Sequence, residues 1–96
     1  MNRYIVLANF TDQGIRGVKD TTKRAKAFRE LASKMGAQIG DIYWTLGQYD
    51  VVLVMTASND ETVTSILLKA GSLGNLKSQT LRAFDEKEME SILNKI

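Results

Sequence analysis

The run Val51-Val52-Leu53-Val54-Met55-Thr56-Ala57 constrains the fold more than any other part of the chain. Its β-branched content and seven-residue length are those of a strand, and successive side chains of a strand point to opposite faces. Val51, Leu53 and Met55 therefore face one way, and Val52 and Val54 face the other. A strand that is apolar on both sides belongs inside a sheet that is covered twice. The run from Arg3 to Phe10 repeats the pattern, with Ile5 and Leu7 set against Tyr4, Val6 and Phe10. Neither run approaches the length of a membrane span.

Around these two strands the chain alternates helical and extended signals. Thr11 and Asp12 close the first strand, and the segment from Thr11 to Lys19 carries Ile15 and Val18 at helical spacing between Gly14 and Gly17. Asp20, Thr21 and Thr22 offer N-caps to a helix whose apolar face is Ala25, Phe28, Leu31, Ala32 and Met35, ended by Gly36. A second strand over residues 39 to 46 and the turn Gly47-Gln48-Tyr49-Asp50 make a hairpin with the central apolar run. Ser58 and Glu61 have the spacing of a capping box ahead of Val63, Ile66, Leu67 and Ala70. A fourth, more polar strand spans residues 75 to 84, and Asp85 with Glu88 repeats the capping-box spacing before Met89, Ile92, Leu93 and Ile96. The order predicts one α+β domain over residues 1–96, a ferredoxin-like βαββαβ antiparallel sheet with its helices on one face plus a C-terminal helix.

That plan leaves one apolar sheet face without a cover. The expectation is a homo-oligomer, dimer or higher, in which a partner covers it; the competing arrangement folds the C-terminal helix under the sheet of a monomer. Spacing also places Phe28, Leu31, Val52, Val54, Ile66 and Leu67 in one helix–sheet core.

Composition removes most catalytic options. The 96 residues include no cysteine, no histidine and no proline, so thiolate chemistry, disulfides, zinc fingers and imidazole-based triads are excluded. No metal or other cofactor is expected. The start of the chain reads as strand, not as an export signal, which makes a cytoplasmic location the expectation. Between residues 16 and 34 seven basic residues face only Asp20 and Glu30, but the whole chain carries a net charge of only +2. With Phe28 as the sole aromatic among them, this is a solvated helix face, and nucleic acid is not an expected partner.

The candidate ligand-binding residues fall in three groups. Tyr49 and Asp50 sit in the hairpin turn, where Gly47 supplies an unusual backbone angle, Tyr49 caps the sheet end and Asp50 accepts from turn amides; the alternative makes the turn the rim of a ligand site. Tyr43 and Trp44 fall on opposite faces of the second strand, so only one lines any given cavity. Ser78, Thr80 and Arg82 share one face of the fourth strand, where a guanidinium beside hydroxyls suits a carboxylate or phosphate; the alternative is a charged sheet edge. Asn9 on the first strand is a further candidate for such a cavity.

Four phrases resemble the GYD domain family of small prokaryotic proteins: Thr11-Asp12-Gln13-Gly14-Ile15, Gly47-Gln48-Tyr49-Asp50, Gly71-Ser72-Leu73-Gly74-Asn75 and Thr80-Leu81-Arg82-Ala83-Phe84. The resemblance covers nearly the whole chain and implies the fold of the dimeric α+β barrel group, without a settled activity. The hairpin phrase is also similar to the ligand-sensing domain of the leucine- and asparagine-responsive regulators, which implies a small molecule, often an amino acid, at an oligomer interface. The preferred expectation is thus an oligomeric small-metabolite-binding module. Its rival is a cofactor-independent oxygenase or isomerase in which Asn9, Tyr43, Trp44 and Arg82 polarise a carbon acid, and a purely structural protein is a third option.

Overall fold

The computed structural model describes Met1–Ile96. Its elements are β1 (Asn2–Phe10), α1 (Asp12–Arg16), a short 3-10 turn (Val18–Asp20), α2 (Thr21–Lys34), β2 (Gln38–Trp44), β3 (Val51–Ala57), α3 (Asp60–Ser72), β4 (Leu76–Ala83) and α4 (Glu86–Leu93). The strands form one antiparallel sheet in the order β2-β3-β1-β4. The two strands that are apolar on both sides take the centre, as their composition requires.

Register decides which apolar face meets the helices. Tyr4 pairs with Met55 and Val6 with Leu53, and these residues are buried together with Ala57, Val63 and Ile66 from α3 and Ala32 from α2. Phe28 and Leu67 pack against this core, but Val52 and Val54 do not belong to it. They pair with Leu7 and Ile5 on the opposite face, because Val51, Leu53 and Met55 follow the side of β1 that Tyr4, Val6 and Ala8 occupy. In β2 a register shift between Ile39 and Ile42 opposes Ile39 to Met55 and Ile42 to Leu53, so a bulge puts both isoleucines on the helix side.

Local chemistry ends the elements. The N-cap of α3 is Asn59, whose side chain accepts from the Thr62 N–H at 2.9 Å; the Ser58–Glu61 capping box expected from spacing does not form. The Asp85–Glu88 capping box does, with both reciprocal bonds present. The segment after β1 is helical in its first half, with Thr11 as the cap of α1, accepting from the Gly14 N–H at 3.0 Å.

Between β1 and β4 a clasp joins distant phrases of the sequence. The Thr11 hydroxyl donates to the Gly74 carbonyl at 2.6 Å, the Thr11 N–H to the Asn75 carbonyl at 3.1 Å, and the Gln13 amide to Leu73 and Asn75 at 3.1 and 3.0 Å. Gly14 is buried so closely against Asn75 that a Cβ there would lie 2.0 Å from its carbonyl oxygen. Gly74 adopts φ +87°, which lets the loop turn over Gln13.

The second sheet face stays open. Ile5, Leu7, Val52 and Val54 line it half-buried, with Leu81 and Tyr43 at its flanks 42% and 57% exposed. The C-terminal helix does not fold under it. Met89, Leu93 and Ile96 are themselves exposed, and α4 is held at the end of the sheet through ion pairs of Arg3 with Asp85 and Glu88 at 3.4 and 3.5 Å. The accessible surface of 6692 Å² exceeds the about 5,500 Å² that a compact monomer of this mass exposes. Its extents of 49 × 31 × 18 Å describe a flat, elongated molecule.

Candidate functional site

The side chains of Ser78, Thr80 and Arg82 alternate onto the helix side of β4, where α3 does not fully close over the strand. A groove of about 380 Å³ opens there, lined also by Tyr4, Asp60 and Leu67. Tyr4 reaches it because β1 and β4 pair Tyr4 with Arg82. Its buried phenol donates to the Asp60 carboxylate at 2.5 Å, a short charge-assisted bond across the groove. Burial first, and then the bond to Asp60, push the Tyr4 hydroxyl above its ordinary pKa of 10.0, so it is a donor at neutral pH.

Arg82 is held at the other end. Its guanidinium lies 4.5 Å from the Phe84 ring centre and 5.7 Å from that of Tyr4. It donates to the Arg3 carbonyl at 3.4 Å, to the Ala83 carbonyl, and to the Asn2 side chain at 3.1 Å, and it approaches Glu88 at 4.0 Å. Three of its five donors are thus engaged and two remain. The Ser78 and Thr80 hydroxyls make no hydrogen bond within the chain, and both are exposed. One groove therefore presents a guanidinium, two free hydroxyls and a carboxylate.

The other sequence candidates lie elsewhere. Asp50 does not serve its own turn: its carboxylate accepts from the Phe10 N–H at 2.9 Å and from the Asn9 side chain at 3.4 Å, while Asn9 also donates to the Gln48 carbonyl at 2.7 Å. This pins the hairpin to the end of β1, with Gly47 at φ +103° making the turn. Tyr49 donates from its hydroxyl to Gln79 at 3.2 Å, reaching from the hairpin to β4 on the open face. Tyr43 lies on that face, and Trp44 lies on the helix side, its indole N–H donating to the Thr21 hydroxyl at 3.0 Å. Asn9 and Arg82 are separated along the sheet, since Asn9 pairs with Lys77 and Arg82 with Tyr4, five residues along β1 or about 17 Å. Asn9, Tyr43, Trp44 and Arg82 do not converge on one reacting atom.

Sequence reasoning misses Tyr4 and Asp60. By local pattern Tyr4 is an apolar residue of the first strand and Asp60 part of a helix start; the signal that joins them to Arg82 is the β1–β4 register, which no local pattern reveals.

Four antiparallel strands in this order, with both long helices on one face, define a ferredoxin-like α+β domain, here with a mixed-charge groove beneath α3. Residues 4–93 match the GYD domain, and the chain belongs to that family. It is 34% identical over 84 residues to the "Glutamine synthetase and cystathionine beta-lyase binding protein" of Thermus thermophilus, covering 86% of this chain and 88% of that protein. Among solved structures it is similar to MtbAldR, with a TM-score of 0.68 at 14% identity over 88% of this chain, and it spans only 54% of that protein's length. TTHA0845 from Thermus thermophilus is similar with a TM-score of 0.57 at 22% identity, over 88% of this chain and 95% of that one. These two likenesses are of fold. No helix is long and apolar enough to cross a membrane.

Proposed function

We propose that this protein is a non-enzymatic, homo-oligomeric binding module whose open sheet face packs against another copy and whose α3–β4 groove takes a small metabolite bearing both a carboxylate and an amine. The uncovered apolar face of β1 and β3 carries the oligomeric part of this reading: Ile5, Leu7, Val52 and Val54 form a continuous patch that nothing else in the chain covers. The groove supplies the ligand class. Arg82 with Ser78 and Thr80 suits a carboxylate, and Asp60, at hydrogen-bond distance from Tyr4, suits an ammonium group. In this reading Asn9, Tyr49 and Asp50 shape the hairpin and do not touch the ligand.

The Thermus relative's name favours a second reading, in which the module docks onto metabolic enzymes. The two readings are compatible, because a metabolite in the groove and a protein on an outer surface use different parts of the domain. The oxygenase or isomerase alternative draws no support from the separated positions of Asn9, Tyr43, Trp44 and Arg82. Native mass spectrometry with a panel of free L-amino acids tests the proposal. It expects an oligomer that gains a ligand mass with at least one of them, lost in Arg82→Gln. A species of 10.7 kDa without adducts would overturn it.

A further inference from the structure

A second cavity, of about 330 Å³, lies between α2, α3 and the sheet, under the end of the domain that holds Ala8, Val51 and Leu76. It exists because the sequence places small residues where a helix–sheet core needs large ones. Ala25 on α2, Ala70 and Gly71 on α3 and Ala8 on β1 line it, whereas the larger Met55 and Ile66 are fully buried in the neighbouring core. Interiors pack at crystal-like density, and this space would hold about eleven waters with few polar partners to bind them. Its walls are apolar, including Phe28, Leu31 and Trp44.

The charges at the cavity bear on the class of ligand that it suits. Of 21 lining residues none is acidic, and two are cations, Arg24 and Lys69. The ion pairs of the chain involve Arg3, Lys23 and Arg82, which leaves Arg24 and Lys69 without a carboxylate partner. Arg24 is steered by a long bond of 3.4 Å to the Gly14 carbonyl, which occupies one donor of its guanidinium. The Thr21 hydroxyl accepts from Trp44, so its own proton is free to donate. An apolar chamber with cations and a hydroxyl donor along its wall complements an anionic amphiphile.

The geometry points to a binding site for a free medium-chain aliphatic carboxylate, its chain between Phe28, Leu31 and Val51 and its carboxylate at Arg24, Lys69 and Thr21. The site adjoins the α3–β4 groove, with which it shares Leu67 and Ser78, but its cations Arg24 and Lys69 lie outside that groove and it does not rest on the function proposed for it. Trp44 is the single tryptophan and lines the cavity, so its emission reports occupancy directly. The experiment titrates the full chain with decanoate, decanol and decyltrimethylammonium below their micellar concentrations, following Trp44 emission and calorimetric heat. Saturable decanoate binding with a shift of Trp44 emission is expected. The double variant R24Q/K69Q, altered only at polar side chains, should weaken decanoate at least about tenfold while leaving decanol within about twofold. Ala70→Phe, which fills the chamber, should abolish both. Absence of decanoate binding, equal binding of the cationic amphiphile, or an R24Q/K69Q variant that binds decanoate as well as the parent would each overturn the assignment.

Discussion

At Gly14 two opposing effects can be weighed by magnitude. A glycine inside a helix costs about 1 kcal/mol relative to alanine, so Gly14→Ala in α1 would stabilise an isolated helix. Here the added methyl would fall 2.0 Å from the Asn75 carbonyl, on backbone that cannot swing aside. Overpacking of this kind costs about 1–3 kcal/mol or more, so Gly14→Ala is expected to lower stability in chemical denaturation; an increase would show that the clasp yields. Tyr4 gives a second test. Its hydroxyl has a pKa raised above 10.0, chiefly by burial, so the stability it contributes is full below pH 10.0 and is lost as pH rises through the higher folded value. Tyr4→Phe should cost about 1–2 kcal/mol at pH 7 through the lost bond to Asp60, and the decline of stability above pH 10.0 should flatten. An unchanged alkaline decline would place its origin elsewhere. Residue types mark Arg82, Ser78 and Thr80 as polar groups on one strand face, but their neighbours across the sheet depend on register and are not legible in the sequence.

Elements are more legible than their faces. Hydrophobic period and turn residues locate the four strands and the long helices, because those signals are local. The misplacement of Val52 and Val54 arises because β3 is apolar on both sides, so nothing in its own sequence distinguishes the helix side from the open side. The expected Ser58–Glu61 box fails for a comparable reason: Asn59 competes for the same helix start, and its side chain takes the Thr62 N–H. Spacing succeeds at α4, where Asp85 is the capping side chain. Its pKa is lowered from 3.8, first by the backbone N–H of Glu88 and then by Arg3. A depressed carboxyl stabilises the fold above pH 3.8 and loses that contribution as pH falls through its lower folded value. Amide hydrogen exchange should therefore show α4 fraying in acid ahead of the sheet, and fraying already at pH 7 in Asp85→Ala. Equal protection of α4 in parent and variant would contradict the capping role.

The whole molecule poses the question that a single chain leaves open. Two helices cover one side of a sheet whose central strands are apolar on both, and α4 stays at the sheet end with Met89, Leu93 and Ile96 exposed. That both faces of the sheet are apolar is legible in β1 and β3 alone, since it follows from alternation. Whether α4 covers the second face is not, because its apolar stripe suits either arrangement; in the structure it stays at the sheet end, where Arg3 pairs with Asp85 and Glu88. The open face is the central claim, and light scattering of the purified protein measures its consequence directly. The parent chain at micromolar concentration should give at least twice the mass of 10.7 kDa, and Val54→Asp, which puts a charge in the middle of the face without touching the helix–sheet core, should give a folded species of 10.7 kDa. A parent mass of 10.7 kDa, or a Val54→Asp variant that assembles as the parent does, would contradict the account.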